Sequence, residues 1–295
     1  GYLTLLGAAA EAVDSPAVCE RQQEHLATGM TFAKARQTAV SELCGNEVAD
    51  MLGSPNDALA VEYVRQLRLL GSSIVPFAVT RIGARHDEKQ AVGEIASASF
   101  LRSLIRSGGV AAASDLMPEE VRRVLERATE DGEAPFDEKK LELTMLGVLR
   151  RVSPRELARL PDLSEGLENR IYAAIRHATT VDEVYALAKS KRYPAARIRR
   201  VVMSAYLGLD GALCARPAPY LRVLGFNVRG REILTRMKQT ARLPVSDSLA
   251  YLRKLGGDAE AFADAEATAT DLYRLGLPNI LPCGYEYTAD SVRLV

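Results

Sequence analysis

The stretch SPNDALAVEYVRQLRLLGSSIVPFAVTRI, from Ser54 to Ile82, carries the clearest information about the fold. Its first part starts with helix-capping residue types, repeats apolar residues at helical spacing and ends at Gly71. The second part, Ser73 to Ile82, is a short β-rich run. A helix followed by a buried strand is typical of the α/β alternation in a doubly wound sheet. This stretch therefore predicts an α/β portion.

Most of the remaining chain has the pattern of helices. Beyond about Met117 the strand signals nearly vanish, except for one β-like run, PYLRVLGF, at Pro219 to Phe226. The segment DGEAP, Asp131 to Pro135, is the best candidate for a linker. We therefore expect an α/β domain at residues 1–130 and an all-α domain at residues 131–295, so that the chain is mostly helical overall.

Charge is distributed unevenly along a chain whose formal net charge is +0. The region from Arg150 to Arg242 carries 19 Lys and Arg residues against 8 Asp and Glu residues. The densest basic run is KSKRYPAARIRR, Lys189 to Arg200. This asymmetry favours a surface that binds a polyanion, although an ordinary solvated helical surface would have the same composition.

Several classes of protein are excluded by composition and spacing. No run of roughly 18 consecutive apolar residues is present, so we expect no contact with a membrane and a cytoplasmic location. The four cysteines and three histidines are scattered, without C-x-x-C or H-E-x-x-H spacing. We therefore expect reduced thiols and no metal held by the protein.

Some residues could bind a phosphate-bearing ligand. In IASASFLR, Ser97 and Ser99 precede or open a helix, whose start favours anions, and Arg102 lies one turn further on. Arg81 ends the predicted strand, where ligands of α/β sheets bind. Asn56 opens the preceding helix. Structural caps or a surface ion pair would use the same residue types.

The order of six sequence blocks resembles the bacterial tRNA(Met) cytidine acetate ligases of the nucleotidyltransferase superfamily. The resemblance runs from about residue 30 to residue 246, and it rests most on the last four blocks. The blocks are SPNDALAVEYVRQL, SIVPFAVTRIGARHD, IASASFLRSLI, SEGLENRIYAAI, KSKRYPAARIRRVV and YLRVLGFNVRGREIL. It implies a nucleotidyltransferase-like, Rossmann-like domain, partial in this chain, followed by an all-α C-terminal domain.

The resemblance also implies an activity. Members activate acetate with ATP to form acetyl-adenylate and then acetylate the wobble cytidine of elongator methionine tRNA, which yields N4-acetylcytidine. The expected cofactor is ATP, with Mg²⁺ carried by the nucleotide, and the expected partners are tRNA and acetate.

The family's nucleotide-binding residues can be matched to positions in this chain. Asn56 matches the nucleotide-binding Asn of the S-P-N block, and Arg81 matches the Arg after the strand. Ser97, Ser99 and Arg102 match the second phosphate motif of the superfamily.

The basic block of the helical domain is the natural place for tRNA. It contains Lys191, Arg192, Arg197, Arg199 and Arg200. A helix over Pro194 to Leu207 would place Ile198, Val201, Val202 and Ala205 on one narrow face, with Arg197 and Arg199 beside it and Arg200 opposite. We therefore expect these arginines to remain outside the apolar core.

The chain departs from the family pattern in its lack of an H-x-G-H motif, which in members stabilises charge on the ATP phosphates. It begins with Gly, and we expect it to start downstream of the first strands of the nucleotide-binding fold. Asp57 stands where a second Asn is common. His86 and Asp87 are candidates for positioning the acetyl group or the cytidine amine, although a simple loop hydrogen bond is the simpler explanation.

Two other functions remain open. The chain could be a catalytically inactive tRNA-binding module, because it has the basic helical region without H-x-G-H. It could also be a sister adenylyltransferase that acts on a small acid without any RNA.

Overall fold

A computed structural model describes residues 1–79, 90, 91, 93, 95–164, 166–190 and 193–293. The chain divides into two compact units, Gly1–Ile82 and Gly83–Val295. Each unit is described below by itself.

The first unit is a group of helices around small apolar side chains. Its helices are α1 Tyr2–Ala12, α2 Pro16–Ala27, α3 Phe32–Cys44, α4 Asn46–Asp50 and α5 Pro55–Leu69. Helices α2 and α5 begin in the same way, with a serine cap followed by proline, because proline needs no hydrogen-bond partner for its nitrogen at this position. Ala9, Ala39, Val40 and Val61 are fully buried.

The strand predicted at residues 73–82 does not form in its described part, residues 73–79. Val75, Phe77 and Val79 are 85%, 88% and 81% exposed, so the prediction of a buried strand was wrong for this part. A strand needs a neighbouring strand to pair its N–H and C=O groups. The described residues of the first unit contain no other strand that could provide this pairing.

The second unit contains the remaining elements. Its helices are α6 Ala98–Gly108, α7 Glu119–Glu130, α8 Glu142–Arg151, α9 Pro154–Leu157, α10 Leu167–His177, α11 Val181–Ala188, α12 Ala195–Leu207, α13 Gly211–Cys214, α14 Val228–Thr240, α15 Leu249–Arg253, α16 Gly257–Arg274 and α17 Tyr285–Thr288. Two 3₁₀ helices span Val110–Leu116 and Glu138–Leu141.

Helices α8 to α12 enclose the largest core. Leu149, Leu157, Ile171 and Ile198 are 0% exposed, and they come from four different helices. Burial of one such side chain contributes roughly 1.5–3 kcal/mol. This core fixes the position of α12, the helix that carries the basic block.

The β-like run predicted at residues 219–226 forms two very short strands. Strand β1, Leu221–Arg222, pairs in parallel with β3, Val245–Ser246. Strand β2, Gly225–Phe226, pairs in parallel with β4, Val292–Arg293. These pairings join the segment before α14 to two segments that follow it.

A polar cluster joins β1 to the C-terminal helices. The guanidinium of Arg222 contacts Glu266 of α16 at 2.9 Å and also binds Glu286 of α17. The hydroxyl of Tyr220 donates to Glu266 at 2.6 Å. Burial alone would raise the pKa of Glu286, but hydrogen bonds from Thr270 and Arg222 outweigh burial and lower it.

The segment predicted as a linker, residues 131–135, is packed within the second unit. Gly132 and Ala134 are buried, and the carbonyl of Gly132 accepts from the backbone N–H of Asn279 at 3.3 Å. The N–H of Asp137 donates to the carbonyl of Gly276 at 2.8 Å. The division of the chain into a nucleotide-binding part, 1–130, and a tRNA-binding part, 131–295, stays a prediction.

Candidate functional site

Asn56 lies in the first turn of α5, directly after the capping pair Ser54 and Pro55. Its side chain is exposed and makes no hydrogen bond to any residue in the described part of the chain. Because the amide has both donor and acceptor atoms, Asn56 can bind a polar ligand without breaking an existing contact.

Asp57, beside Asn56, has a structural role. Its carboxylate accepts from the hydroxyl of Ser54 at 2.7 Å and from the hydroxyl of Tyr2 at 2.5 Å. The hydrogen bond to Asp57 raises the pKa of Tyr2. Asp57 thus joins α1 to the start of α5, and this contact orients the turn that presents Asn56.

Ser97, Ser99 and Arg102 come together at the start of α6. Ser97 is 4% exposed, and its hydroxyl oxygen accepts from the N–H of Phe100 at 3.1 Å. The hydroxyls of Ser97 and Ser99 are hydrogen-bonded at 3.1 Å. Arg102 is exposed one turn later, without an ion pair to the described residues. A helix start, a hydroxyl and a guanidinium together can bind an anion such as phosphate.

Some predicted site residues cannot be compared with this geometry. Arg81, His86 and Asp87 lie outside the described residues, as do Lys191 and Arg192. Asn56 belongs to the first unit, whereas the group at the start of α6 belongs to the second.

The wheel predicted for the basic helix is confirmed. Ile198, Val201 and Val202 of α12 are each 0% exposed, whereas Arg199 and Arg200 are exposed. The apolar face of α12 therefore packs into the core and leaves these guanidinium groups at the surface.

Two arginines of α12 are bound to one turn of the same unit. Arg197 donates to the carbonyl of Asp162 at 2.8 Å and to the hydroxyl of Ser164 at 2.7 Å. Arg200 pairs with the carboxylate of Asp162 at 2.6 Å. Both groups would have to share or exchange these partners in order to bind phosphate.

Arg199 is bound less strongly. Its guanidinium lies 5.3 Å from the ring centre of Tyr185, a distance that suits a cation–π contact. Burial raises the pKa of Tyr185, so this ring stays neutral beside the arginine. Arg199 has no ion pair with the residues that the structure describes.

The comparisons with known proteins identify the family. Residues 3–284 match the HIGH Nucleotidyl Transferase family. The tRNA(Met) cytidine acetate ligase of Thermoanaerobacter sp. (strain X514) is 33% identical over 275 residues, which are 92% of this chain and 68% of the relative. The chain belongs to the tRNA(Met) cytidine acetate ligase family. The ligase of the same name from Caldanaerobacter subterraneus subsp. tengcongensis is 34% identical over 260 residues, 87% of this chain and 64% of that protein.

Solved structures support the same family. An apo crystal structure of Thermotoga maritima TmcAL has a TM-score of 0.89 and 25% identity, and the match covers 98% of this chain and 74% of that one. The same protein bound with alpha-thio ATP has a TM-score of 0.87 and 25% identity, with coverage of 99% and 73%. The resemblance stated from the sequence blocks and the nucleotidyltransferase fold class are thereby confirmed.

The ligase-family block SEGLENRIYAAI contributes a structural contact. Leu167 is fully buried, and Arg170 donates to the carbonyls of Leu187, Ala188 and Lys189 at 3.2, 2.6 and 3.0 Å. Arg170 therefore satisfies the C-terminal carbonyls of α11, immediately before the basic block.

Sequence reasoning did not single out the cations of a second helix, α14. They are Arg229, Arg231, Arg236, Lys238 and, just beyond the helix, Arg242. All five are exposed, and none has an ion pair with a residue in the described ranges. The available signal was the alternation of basic residues in NVRGRE, which lies inside a quoted block.

Neither a metal-binding cluster nor a membrane-spanning helix occurs among the described residues. They contain no group of three or more His, Cys, Asp and Glu side chains that could hold a metal ion. Within the same residues, no helix has the length and apolar character needed to cross a bilayer.

Proposed function

We propose that this chain acts in the ATP-dependent acetylation of the wobble cytidine of elongator tRNA(Met). The observation that carries the proposal is the 33% identity to a tRNA(Met) cytidine acetate ligase over 92% of the chain. In the proposed reaction, an acetate oxygen attacks the α-phosphorus of ATP, which forms acetyl-adenylate and releases pyrophosphate. The N4 amine of cytidine then attacks the acetyl carbon, loses a proton and releases AMP.

Residues at two helix starts are proposed to bind ATP. The N-terminal end of α6, the hydroxyl of Ser99 and the guanidinium of Arg102 suit a phosphate. The amide of Asn56, which makes no hydrogen bond to a described residue, suits a polar group of the nucleotide. Arg81 is proposed as a further nucleotide ligand by its match to the family motif. We expect Mg²⁺ to arrive with the nucleotide.

The proposed RNA contacts include the basic block of α12 and the residues before it. Arg199 is exposed and carries no carboxylate partner among the described residues, which supports its assignment. Arg197 and Arg200 are also proposed to contact RNA. There, phosphate must compete with their existing contacts at the 162–164 turn. Lys191 and Arg192 complete the proposed set. His86 and Asp87 are proposed to position the acetyl group or the amine.

The exposed cations of α14, which have no ion pair among the described residues, favour an alternative, a tRNA-binding module without activity. The module would bind tRNA and leave it unmodified.

A two-part assay separates these functions. The chain is incubated with ATP, labelled acetate and tRNA(Met), and nucleosides from the digested tRNA are analysed for N4-acetylcytidine. Acetate-dependent exchange of labelled pyrophosphate into ATP is measured in parallel. Acetylcytidine at the wobble position supports the ligase. Binding of tRNA without either product indicates the module, and exchange without tRNA binding indicates a sister adenylyltransferase.

A further inference from the structure

Helix α14 concentrates positive charge that no carboxylate among the described residues neutralises. Between residues 228 and 242, five cations accompany one acidic residue, Glu232. The five side chains are exposed and have no ion pair with any described residue. Such a surface attracts a polyanion, because no internal carboxylate has to be displaced first.

Several other cations of the second unit are paired with carboxylates. The pairs are Arg159 with Asp210, Arg200 with Asp162, Arg216 with Asp258, Arg253 with Asp264, and Arg274 with Glu133. By contrast, all five cations of α14 and its C-terminal end lack a carboxylate partner among the described residues. Its charge is available for a partner outside the unit.

The cations lie along both sides of α14. Arg229 and Arg236 are seven residues apart and share one side, whereas Arg231 and Lys238 share the other. Seven residues correspond to about 10 Å along a helix. Leu234 is half-buried and lies between the two sides, toward the body of the unit. The helix therefore presents two rows of positive charge.

A cavity of about 340 Å³ lies beside the second row. It is lined by Arg231 and Lys238, and also by Phe226, Ser246 and Asp247. One carboxylate oxygen of Asp247 accepts from Ser291 at 2.9 Å, and its other oxygen has no hydrogen bond among the described residues. The volume falls within the range of small-molecule sites.

We propose that α14 and this cavity form an RNA-binding surface, in which the cavity receives one unstacked nucleotide of the tRNA. The inference rests on the proposed function, which supplies the tRNA. Arg229, Arg236 and Arg242 bind backbone phosphates, and Arg231 and Lys238 bind the phosphate of the nucleotide in the cavity. The base stacks on Phe226, in the way that single-stranded RNA is bound elsewhere.

The chemistry of α14 fits RNA better than it fits a lipid surface or an acidic peptide. A helix that lies on a membrane needs a broad apolar face opposite its charges. Of the apolar side chains of α14, Leu234 and Met237 are half-buried against the unit, which leaves Val228 and Ile233 exposed. Two cationic rows beside an aromatic-lined cavity match the alternation of phosphates and bases along a strand.

The experiment measures equilibrium binding of a labelled tRNA(Met) transcript at 50, 100 and 200 mM salt. Two double variants each remove one row: Arg229→Gln with Arg236→Gln, and Arg231→Gln with Lys238→Gln. The control, Arg123→Gln with Arg127→Gln on α7, removes the same charge from another exposed helix. Each α14 variant should bind at least about tenfold more weakly at 50 mM salt, with a salt slope smaller by about two.

The cavity has its own test. Phe226→Leu keeps an apolar side chain and should weaken tRNA binding by about fivefold or more, because base stacking is lost. Its salt slope should equal that of the wild-type chain. Far-UV circular dichroism and thermal melting verify that each variant is folded, and cytidine monophosphate is added as a competitor for the cavity.

The outcomes are distinguishable. If the wild-type chain binds tRNA and the α14 variants match the α7 control, the inference is wrong and the proposed function stands. If the wild-type chain does not bind tRNA, both are wrong. Tighter binding to poly-glutamate or to anionic phosphatidylserine vesicles than to tRNA would also overturn the inference.

Discussion

Substitution of Asp162 by Asn tests whether α12 contacts RNA. Asp162 has a φ of 63°, in the left-handed region that Asp and Asn tolerate best, so the substitution preserves the turn. The carbonyl that accepts from Arg197 is unchanged. The variant therefore removes one negative charge and releases Arg200 from its ion pair.

The expected cost in stability is small. The paired side chains of Arg200 and Asp162 are 60% and 43% exposed, and exposed pairs contribute about 0.2–1 kcal/mol. For a chain of this size, the melting temperature should fall by no more than about 3 °C. A larger fall would mean that the carboxylate also supports the turn itself.

The expected gain in RNA affinity follows from one additional phosphate contact. Each contact adds about 0.7–0.9 to the salt slope, so the ratio of Kd at 200 mM to Kd at 50 mM should rise about threefold. Fluorescence anisotropy of labelled tRNA(Met) measures this ratio. The control is Asp258→Asn, which releases Arg216 from a pair of the same 2.6 Å length and similar exposure. A ratio unchanged from wild type, or raised equally by both variants, would refute the placement of Arg200 at the RNA surface.

Three further predictions concern stability. Ile171→Ala, at a fully buried position of the α8–α12 core, should lower the free energy of unfolding by about 2–5 kcal/mol, measured by urea denaturation, and Ile171→Val should cost about 0.5–1.5 kcal/mol. Arg170→Met should lower the free energy of unfolding by about 1–2 kcal/mol and speed hydrogen exchange at the C-terminal end of α11. Unchanged exchange would mean that Arg170 does not cap this helix. Hydrogen bonding to Arg65 lowers the pKa of Asp14. The stability that this contact gives to the folded chain is therefore complete above the unfolded pKa of about 4 and is lost as the pH falls further. Melting temperature against pH should therefore fall less steeply below about pH 4 in Arg65→Met, and parallel curves would contradict the prediction.

Local periodicity explains which parts of the fold could be predicted. The helix expected at 194–207 appears at Ala195–Leu207, because its apolar spacing and its end residues agree. The run at residues 73–79 has the composition of a strand, but a strand depends on a partner that composition does not supply. Its exposure follows from this lack of pairing within the described part of the first unit.

The candidate site was predictable to the extent that its residues are neighbours in sequence. Ser97, Ser99 and Arg102 lie within six residues, so one helix start brings them together. The partner of Arg200 could not be inferred, because Asp162 lies 38 positions away and approaches only when α12 packs into its core. Long-range contacts of this kind decide whether a cation is available.

The two basic helices should therefore be ranked as RNA contacts by whether their cations already have an internal partner, and not by how many cations they carry. An arginine that is already bound to a carboxylate gains only the difference between that contact and a phosphate contact. On α12 this applies to Arg200, which is paired with Asp162. Arg197 is likewise already hydrogen-bonded, to a carbonyl oxygen and a hydroxyl oxygen. On α14 no such exchange is needed among the described residues, so a phosphate contact there contributes its full free energy. Counted per cation, the salt slope lost in the α14 variants should consequently exceed the slope gained in Asp162→Asn, and the reverse order would place the main RNA contact on α12.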